Sequence, residues 1–310
     1  MLIGVIGLGN IASKAYLPVL GGIEGIDLAL CSRSEETVHR VQSQYRIQKA
    51  TTRLEDLVKM GISAAFVLSP NDTHVLIGRA LLEKGVDVFF EKPATLNSLE
   101  TQELAELADR GGRVMMVGFN RRYAPLHVKA LQSWHSRPIG MALFQKHRPN
   151  ASHPHLAHQF MDDTIHQIDM LRYFCGEGEV VSTVAYHASD RLLGAASTVA
   201  LEQGGYGMVI TSLQAGRWQE DYTLHGSGCS MILEAFSRLR LIDGLLETVQ
   251  EETYASSWRT TLEGRGFTGQ INHFLDCVKG RSLPMTSGWD SVKTQQMVER
   301  MISAATYSQG

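Results

Sequence analysis

The sequence of 310 residues has few cysteines and little net charge. Its four cysteines stand far apart, without a CxxC or other paired spacing, which argues against a disulfide scaffold and favours reduced thiols. The formal net charge is −3, and like charges do not form blocks. A function at a nucleic acid or at a membrane surface therefore gains no support.

Long apolar segments are also missing. No stretch approaches the roughly 20 apolar residues that cross a bilayer. An apolar run and a glycine turn follow Met1 almost at once and leave no room for a signal peptide. With 44% hydrophobic and 20% charged residues, the composition is that of an ordinary globular protein that buries its core without disulfides or metals. We therefore expect a cytoplasmic protein. The length of 310 residues exceeds that of a typical single domain and predicts two domains.

Residues 1–120 alternate short apolar runs with segments of helical periodicity. The apolar runs predict strands at residues 2–7, 27–31, 64–68, 86–90 and 114–117. Helices are expected between them, at residues 11–20, 34–45, 54–60, 73–84 and 98–110, the second beginning at a serine cap. This order is typical of βαβ units, so residues 1–120 are predicted to form a parallel, doubly wound Rossmann domain.

The pattern changes after residue 120. Helices are expected at residues 126–133, 160–174, 268–279 and 288–305, whereas residues 180–253 show strand-like runs separated by glycine-containing turns. Consecutive strands of this kind predict a mostly antiparallel or mixed open sheet. The predicted fold is therefore α/β, with the Rossmann domain followed by an α+β domain over residues 121–310.

A GxGxxA motif directly follows the first predicted strand and opens the first predicted helix, and it spans Gly7, Gly9, Asn10, Ile11 and Ala12. Gly7 permits a tight turn, and Gly9 lets the backbone approach a pyrophosphate without a Cβ in the way. Ala12 is small enough for close packing of the helix on the sheet, and the helix N-terminus favours phosphate charge. Glycines also mark ordinary βα turns, but the flanking strand and helix favour a dinucleotide-binding site.

The residue after the second strand usually distinguishes NAD from NADP. An acidic side chain there holds the ribose 2′-hydroxyl of NAD, but this chain has Cys31, Ser32 and Arg33. Arg33 can pair with a 2′-phosphate, and Ser32 can add a hydrogen bond. The alternative is that Arg33 is a solvated residue at the start of a helix. We predict that NADP(H) is favoured over NAD(H).

Two further polar segments follow predicted strands, the first at residues 69–74 and the second at residues 91–93. Open α/β sheets bind ligands at the carboxyl ends of their parallel strands, where both segments are expected. We therefore add six residues to the predicted cofactor site: Ser69, Pro70, Asn71, His74, Glu91 and Lys92.

Together with the glycine motif, these segments make the chain resemble the Gfo/Idh/MocA oxidoreductase family, which includes glucose–fructose oxidoreductase and inositol dehydrogenase. The resemblance covers essentially the whole chain, and residues 118–126, 146–148 and 261–269 are similar to the MviM-type branch. The family implies that Lys92 polarises the reacting oxygen of the substrate and that a cis peptide precedes Pro93. A cation at this position stabilises the alkoxide character that develops during hydride transfer. The alternative for Lys92 is an exposed loop lysine.

Asp162 and His166 are four residues apart in a predicted helix and therefore share one face. A carboxylate beside an imidazole fixes its tautomer and stabilises the imidazolium, as expected of a general base. The pair matches the DxxxH motif of inositol dehydrogenase-like members, so we predict Lys92, Asp162 and His166 as catalytic residues. A DxxxH pair is also typical of an ordinary helix surface. Thr164 stands where many members have glycine, and this departure concerns the shape of the substrate.

Asn120, Arg122 and Tyr123 follow the last Rossmann strand. Sites for small polar ligands are common between domains, so we predict that these residues bind substrate together with Lys92 and His166. The alternative is structural, and one of the two arginines, Arg121 or Arg122, is expected to pack or pair at the domain seam.

Three histidines, His153, His155 and His158, precede the DxxxH pair. A metal site needs ligands that converge on one centre and outer-shell partners that orient them. Solvated side chains, or hydrogen bonds to a polar substrate, also account for histidines on a loop. No metal site is predicted.

The combined prediction is an NAD(P)-dependent dehydrogenase or reductase that acts on CH–OH groups at the domain junction. Its substrate is a small polyhydroxylated molecule: a sugar, an inositol or a related polyol derivative. The resemblance also implies self-association, as a homodimer or homotetramer, through an exposed face of the second sheet. Two alternatives stay open: a glycoside hydrolase of the same family that retains its cofactor, and a non-catalytic dinucleotide-binding sensor.

Overall fold

The structure, a computed structural model, describes residues 1–135, 137–150, 155–252 and 258–309. Its strands are β1 Leu2–Ile6, β2 Asp27–Cys31, β3 Lys49–Thr51, β4 Ala64–Val67, β5 Asp87–Phe90, β6 Met115–Val117, β7 Met141–His147, β8 Gly178–Ala188, β9 Arg191–Leu201, β10 Tyr206–Ser212, β11 Gln219–Gly226, β12 Cys229–Glu234, β13 Arg238–Asp243, β14 Leu246–Glu251 and β15 Ala305–Gln309.

The α-helices are α1 Leu17–Leu20, α2 Glu35–Tyr45, α3 Leu54–Lys59, α4 His74–Leu82, α5 Ser98–Gly111, α6 Pro125–Trp134, α7 Leu156–Gln159, α8 Ile165–Cys175, α9 Thr261–Gly264, α10 Phe267–Val278 and α11 Gly288–Ser303. Two π-helical turns, Ala12–Tyr16 and Phe160–Thr164, lead into α1 and α8. Short 3₁₀ turns occupy Asn71–Thr73 and Asn120–Tyr123. No helix of the described ranges combines the length and the apolarity needed to cross a membrane.

The backbone contacts divide the chain into two compact units. The first unit comprises Met1–Asn120 and Phe267–Lys293, and the second comprises Arg121–Gly266 and Thr294–Gly310. This division differs in one segment from the prediction, which placed all of residues 121–310 in the second domain. The segment Phe267–Lys293 belongs to the first unit because its aromatic side chains complete the core of that unit.

The first unit contains a six-stranded parallel sheet in the order β3-β2-β1-β4-β5-β6, which confirms the predicted doubly wound Rossmann fold. The helix α2 begins as predicted, because the Ser34 side chain accepts a hydrogen bond from the backbone N–H of Thr37. The core is aromatic: the ring of Tyr16 lies 5.8 Å from that of Phe267, and the ring of Phe66 lies 5.1 Å from that of Phe274. These contacts fix α10 to the Rossmann sheet.

The second unit contains a nine-stranded sheet in the order β14-β13-β12-β11-β7-β10-β9-β8-β15. The pairs β7–β10 and β8–β15 are parallel and the other neighbours are antiparallel, which confirms the predicted mixed sheet. Helix α8 packs on β7 and β10. The predicted helix over residues 288–305 ends earlier, at Ser303, because the chain then pairs with β8 as β15.

Candidate functional site

A cavity of about 590 Å³ lies at the carboxyl ends of β1, β2 and β4 in the first unit. Eight of the residues that line it were predicted to bind the cofactor: Gly7, Gly9, Asn10, Ile11, Ser32, Arg33, Ser69 and Pro70. Sequence reasoning missed other lining residues, among them the polar Thr52 and Thr73 and the apolar Leu54, Leu76 and Ile77. Since a dinucleotide presents both phosphates and flat rings, this combination of backbone, polar and apolar surfaces fits such a ligand.

The two motif glycines have different reasons for lacking a side chain. Gly7 has φ +86°, and a Cβ there would lie 2.5 Å from the backbone nitrogen of Ser69. The chain itself therefore requires glycine at this turn. Gly9 does not have a left-handed φ, and a Cβ built on it would meet no atom within 4 Å. The space beside Gly9 is open, as expected where a pyrophosphate approaches the backbone.

The other five predicted cofactor residues do not line this cavity: Ala12, Asn71, His74, Glu91 and Lys92. Ala12 is fully buried in the first helical turn, and Asn71 begins the 3₁₀ turn after β4. The ring of His74 is buried, with Nδ1 3.0 Å from the carbonyl oxygen of Ala94 and Nε2 2.9 Å from that of Ser69. Burial lowers the pKa of His74, whereas the two carbonyl oxygens act to raise it, because only the protonated ring can donate to both. His74 thus links the loop after β4 to the loop after β5.

Glu91 and Lys92 follow β5, and the peptide between Lys92 and Pro93 is cis. Lys92 is half-buried. The carboxylate of Glu91 is buried and accepts two hydrogen bonds, at 2.6 Å from the Tyr16 hydroxyl and at 2.9 Å from the backbone N–H of Lys92. The predicted role of Glu91 in cofactor binding stays a prediction, because these bonds direct its side chain to the loop that carries Lys92.

In the second unit, Asp162 belongs to the π-helical turn Phe160–Thr164, and His166 to the first turn of α8. The predicted helix over residues 160–174 ends close to the end of α8 but begins late, because α7 already starts at Leu156. The prediction also misses the π-helical turn, which changes the spacing of the side chains. Asp162 is half-buried and His166 is buried. Their catalytic role stays a prediction.

Sequence reasoning missed Asp163, whose carboxylate is buried among cations. Lys146 Nζ lies 2.7 Å from its Oδ1, and Arg148 binds both of its oxygens, with Nε 2.9 Å from Oδ2. Burial acts to raise the pKa of Asp163, but Arg148 and Lys146 outweigh it and hold the pKa well below its ordinary value. Burial and the charge of Arg121 lower the pKa of Lys146 to about 8. The i, i+2 spacing of Lys146, in β7, and Arg148, directly after β7, was the available signal, because residues two apart in an extended chain point to the same side.

The predicted substrate residues lie in the turn after β6, and Asn120 is buried. Arg122 is also buried, and its guanidinium donates to both carboxylate oxygens of Asp169, at 2.9 and 2.6 Å. The neighbouring Arg121 forms a second buried ion pair, with Glu220. Because Asp169 already binds the guanidinium fork, contact of Arg122 with substrate stays a prediction.

The histidine cluster is described only in part. His153 lies outside the described residues, and the rings of His155 and His158 have centroids 6.1 Å apart. Within the described ranges, no group of three or more His, Cys, Asp or Glu side chains is arranged to hold a metal ion.

The chain is similar to known oxidoreductases over nearly its full length. A model of the oxidoreductase family GFO_IDH_MocA, with an NAD-binding Rossmann fold, matches residues 1–119. The protein YceM of Salmonella typhimurium is 32% identical over 96% of this chain and 96% of its own. The NAD(+)-dependent scyllo-inositol 2-dehydrogenase of Bacillus subtilis is 27% identical over 56% of this chain and 53% of its own. The crystal structure of the dehydrogenase MviM from Clostridium difficile, 26% identical, matches with a TM-score of 0.89 over 98% of this chain and 99% of that one.

Proposed function

Because this chain belongs to the Gfo/Idh/MocA oxidoreductase family, we propose that it transfers a hydride between NADP(H) and a CH–OH carbon of a sugar, an inositol or a related polyol derivative. The observation that supports this most directly is the open space beside Gly9, in a cavity lined by the glycine motif and by Arg33. Because Gly9 lines this cavity and the fold itself does not require glycine there, a ligand that approaches the backbone accounts for the residue.

The preference for NADP(H) rests on Ser32 and Arg33. Both line the cavity after β2, where NAD-specific sites have a carboxylate for the ribose 2′-hydroxyl. Arg33 is exposed, so its guanidinium is available to a 2′-phosphate.

The proposed chemistry divides among three side chains. A bound nicotinamide supplies the hydride acceptor in oxidation and the donor in reduction. Lys92 stabilises negative charge that develops on the substrate oxygen. His166 takes the hydroxyl proton in oxidation and returns it in reduction, and Asp162 stabilises the imidazolium formed in between.

The substrate contributes several hydroxyl groups, which need donors and acceptors. We assign these contacts to Asn120, Arg122 and Tyr123 in addition to Lys92 and His166.

The resemblance to the family also supports self-association as a homodimer or homotetramer, and Val184 and Tyr186 on β8 offer exposed apolar surface for it. Sedimentation velocity would test the assembly state.

The test of the proposed function is single-turnover hydride transfer, followed by nicotinamide absorbance against a panel of sugars and inositols. Lys92→Met is expected to slow the step by about a hundred- to a thousandfold. His166→Ala is expected to cost about a hundred- to ten-thousandfold and to flatten the pH dependence near neutrality. Since Asp162 acts through His166, Asp162→Asn combined with His166→Ala should be little slower than the slower single variant.

Lys84→Met, which removes an exposed lysine beyond α4, is the matched control and should react at the wild-type rate. Cleavage of a glycoside without net change in nicotinamide absorbance would indicate the hydrolase alternative. Binding of NADP(H) without turnover of any panel member would indicate a sensor. If the effects of Asp162→Asn and His166→Ala multiply, the two residues do not form an acid–base unit.

A further inference from the structure

A chain of buried hydrogen bonds connects α10 to the backbone of Lys92 within the first unit. Gln270 Nε2 donates to the Tyr16 hydroxyl oxygen at 3.0 Å, and that hydroxyl donates to Glu91 Oε1 at 2.6 Å. The other carboxylate oxygen of Glu91 accepts the backbone N–H of Lys92 at 2.9 Å. Tyr16 and Gln270 are fully buried, although 254 positions separate them in the sequence.

The chemistry of these side chains determines which group donates and which accepts in each hydrogen bond. A carboxylate oxygen accepts, so the hydroxyl proton of Tyr16 is directed to Glu91. The Tyr16 oxygen is then an acceptor, which requires the NH₂ group of Gln270, and not its carbonyl, to lie against it. Burial and the neighbouring Glu91 raise the pKa of Tyr16 well above its ordinary value, so the hydroxyl keeps its proton at any working pH.

The packing around Tyr16 leaves its hydroxyl little freedom. Its ring packs edge-on against those of Phe89 and Phe267, with centroids 5.7 and 5.8 Å away. Gly118 closes the remaining side, because a Cβ there would lie 3.1 Å from the Tyr16 hydroxyl oxygen and 3.3 Å from the Phe90 carbonyl oxygen. The hydroxyl is therefore held at one position relative to Glu91.

The hydrogen bonds to the Glu91 side chain matter because backbone pairing between β4 and β5 ends at this residue. The N–H of Glu91 still bonds to the carbonyl of Val67 in β4, but the next N–H, that of Lys92, bonds to the Glu91 side chain. A carboxylate anchored at both oxygens cannot rotate without breaking a bond to a charged acceptor. The orientation of Glu91 thus affects where the backbone of Lys92 leaves the sheet.

We infer that Tyr16 and Gln270 are positioning residues for Lys92, so that α10, far along the chain, helps to set the place of the proposed catalytic ammonium. The inference rests on the proposed function for the role of Lys92 in hydride transfer. Electrostatic stabilisation depends on where the ammonium group of Lys92 is held. Rotation of the Glu91 side chain would let Lys92 move, so it should reduce the rate of the chemical step more than it reduces cofactor affinity.

The experiment uses Tyr16→Phe, which removes the hydroxyl and keeps the ring, and Gln270→Met, which removes the amide donor at similar length. Three quantities are measured on the full chain: amide hydrogen exchange at Lys92 by NMR, the dissociation constant of NADP(H), and the single-turnover rate with a panel substrate. Trp289→Phe is the control, because it removes a 2.7 Å hydrogen bond to Asp109 that also joins the segment Phe267–Lys293 to the N-terminal part of the first unit.

In Tyr16→Phe we expect Lys92 amide exchange to be about ten- to a hundredfold faster, the range for loss of a hydrogen bond to a charged acceptor. The single-turnover rate should fall by about tenfold or more, with the NADP(H) dissociation constant changed by less than about threefold. Gln270→Met should give a smaller effect in the same direction, and the double variant should match Tyr16→Phe, because Gln270 acts through the Tyr16 hydroxyl. Trp289→Phe should leave Lys92 exchange unchanged.

Unchanged Lys92 exchange in Tyr16→Phe, or an equal acceleration in Trp289→Phe, would overturn the inference. Should Tyr16→Phe fail to fold, Lys92 exchange in Gln270→Met tests the inference instead, because Gln270 is the first donor in this series of hydrogen bonds. Failure of the proposed function is separate: the wild type would then transfer no hydride to any panel member, whatever the exchange rates.

Discussion

Alanine substitutions at Gly7 and Gly9 should affect different properties, although the two glycines belong to one motif: Gly9→Ala should weaken cofactor binding, and Gly7→Ala should lower stability. Gly9→Ala should fold like the wild type, because its Cβ meets no atom within 4 Å and its φ is not left-handed. Binding of NADP(H) should weaken, because the methyl group occupies the space of the pyrophosphate. Loss of one charge-assisted hydrogen bond from the backbone costs about 1.5–3 kcal/mol, or about ten- to a hundredfold in affinity.

Gly7→Ala should instead destabilise the protein. A residue with a Cβ at φ +86° costs on the order of 1–2 kcal/mol. The new Cβ would also lie 2.5 Å from the nitrogen of Ser69 and 2.7 Å from the carbonyl carbon of Leu68, which are backbone atoms that must move. Overpacking of this kind adds about 1–3 kcal/mol. The free energy of unfolding should therefore fall by about 2–5 kcal/mol.

The assay combines urea unfolding without nucleotide and calorimetric titration with NADPH. Gly216→Ala is the matched control, since its Cβ also meets nothing within 4 Å, its φ is not left-handed, and it lies in the second unit. It should change neither quantity. Wild-type affinity in Gly9→Ala would refute the assignment of the cavity to the pyrophosphate, and wild-type stability in Gly7→Ala would refute the turn geometry.

Two further predictions concern charged side chains. Arg33→Ala should weaken NADP binding by about ten- to a hundredfold and leave NAD binding nearly unchanged, since only NADP has a 2′-phosphate to lose; equal NADP affinity by titration would remove Arg33 from the site. Asp163→Asn should lower stability at neutral pH, because it leaves the buried Lys146 without its carboxylate. The depressed pKa of Asp163 makes its contribution complete above the unfolded pKa of about 3.9 and lost as pH falls further. Urea unfolding should thus show a stability difference between wild type and Asp163→Asn that shrinks below about pH 4; a constant difference would contradict the ion-pair interpretation.

The Rossmann half of the fold could be predicted because its signals are local. The long strands β1, β2, β4 and β5 are buried apolar runs, and the Ser34 cap and the Gly7 turn depend on residues a few positions away. The short β3, Lys49–Thr51, was missed because none of its three residues is buried and they form no apolar run.

Strand β7 was missed for a different reason. It alternates buried and half-buried positions from Ala142 onward, but one of the buried positions is Lys146, where an apolar residue would be expected. A lysine can occupy this position because Asp163, 17 residues later, compensates its charge. That compensation cannot be recognised until the two segments are known to meet.

The sequence by itself determined the dinucleotide-binding motif, the parallel sheet that carries it and the candidates Lys92, Asp162 and His166. Only the tertiary structure decided that α10 belongs to the first unit, that Asp163 pairs with Lys146 and Arg148, and that Glu91 is held by Tyr16. The physical reason is the range of the interactions. Turns and caps arise between neighbours in the chain, whereas buried ion pairs and polar chains join residues far apart in sequence, and sequence periodicity does not encode such partners.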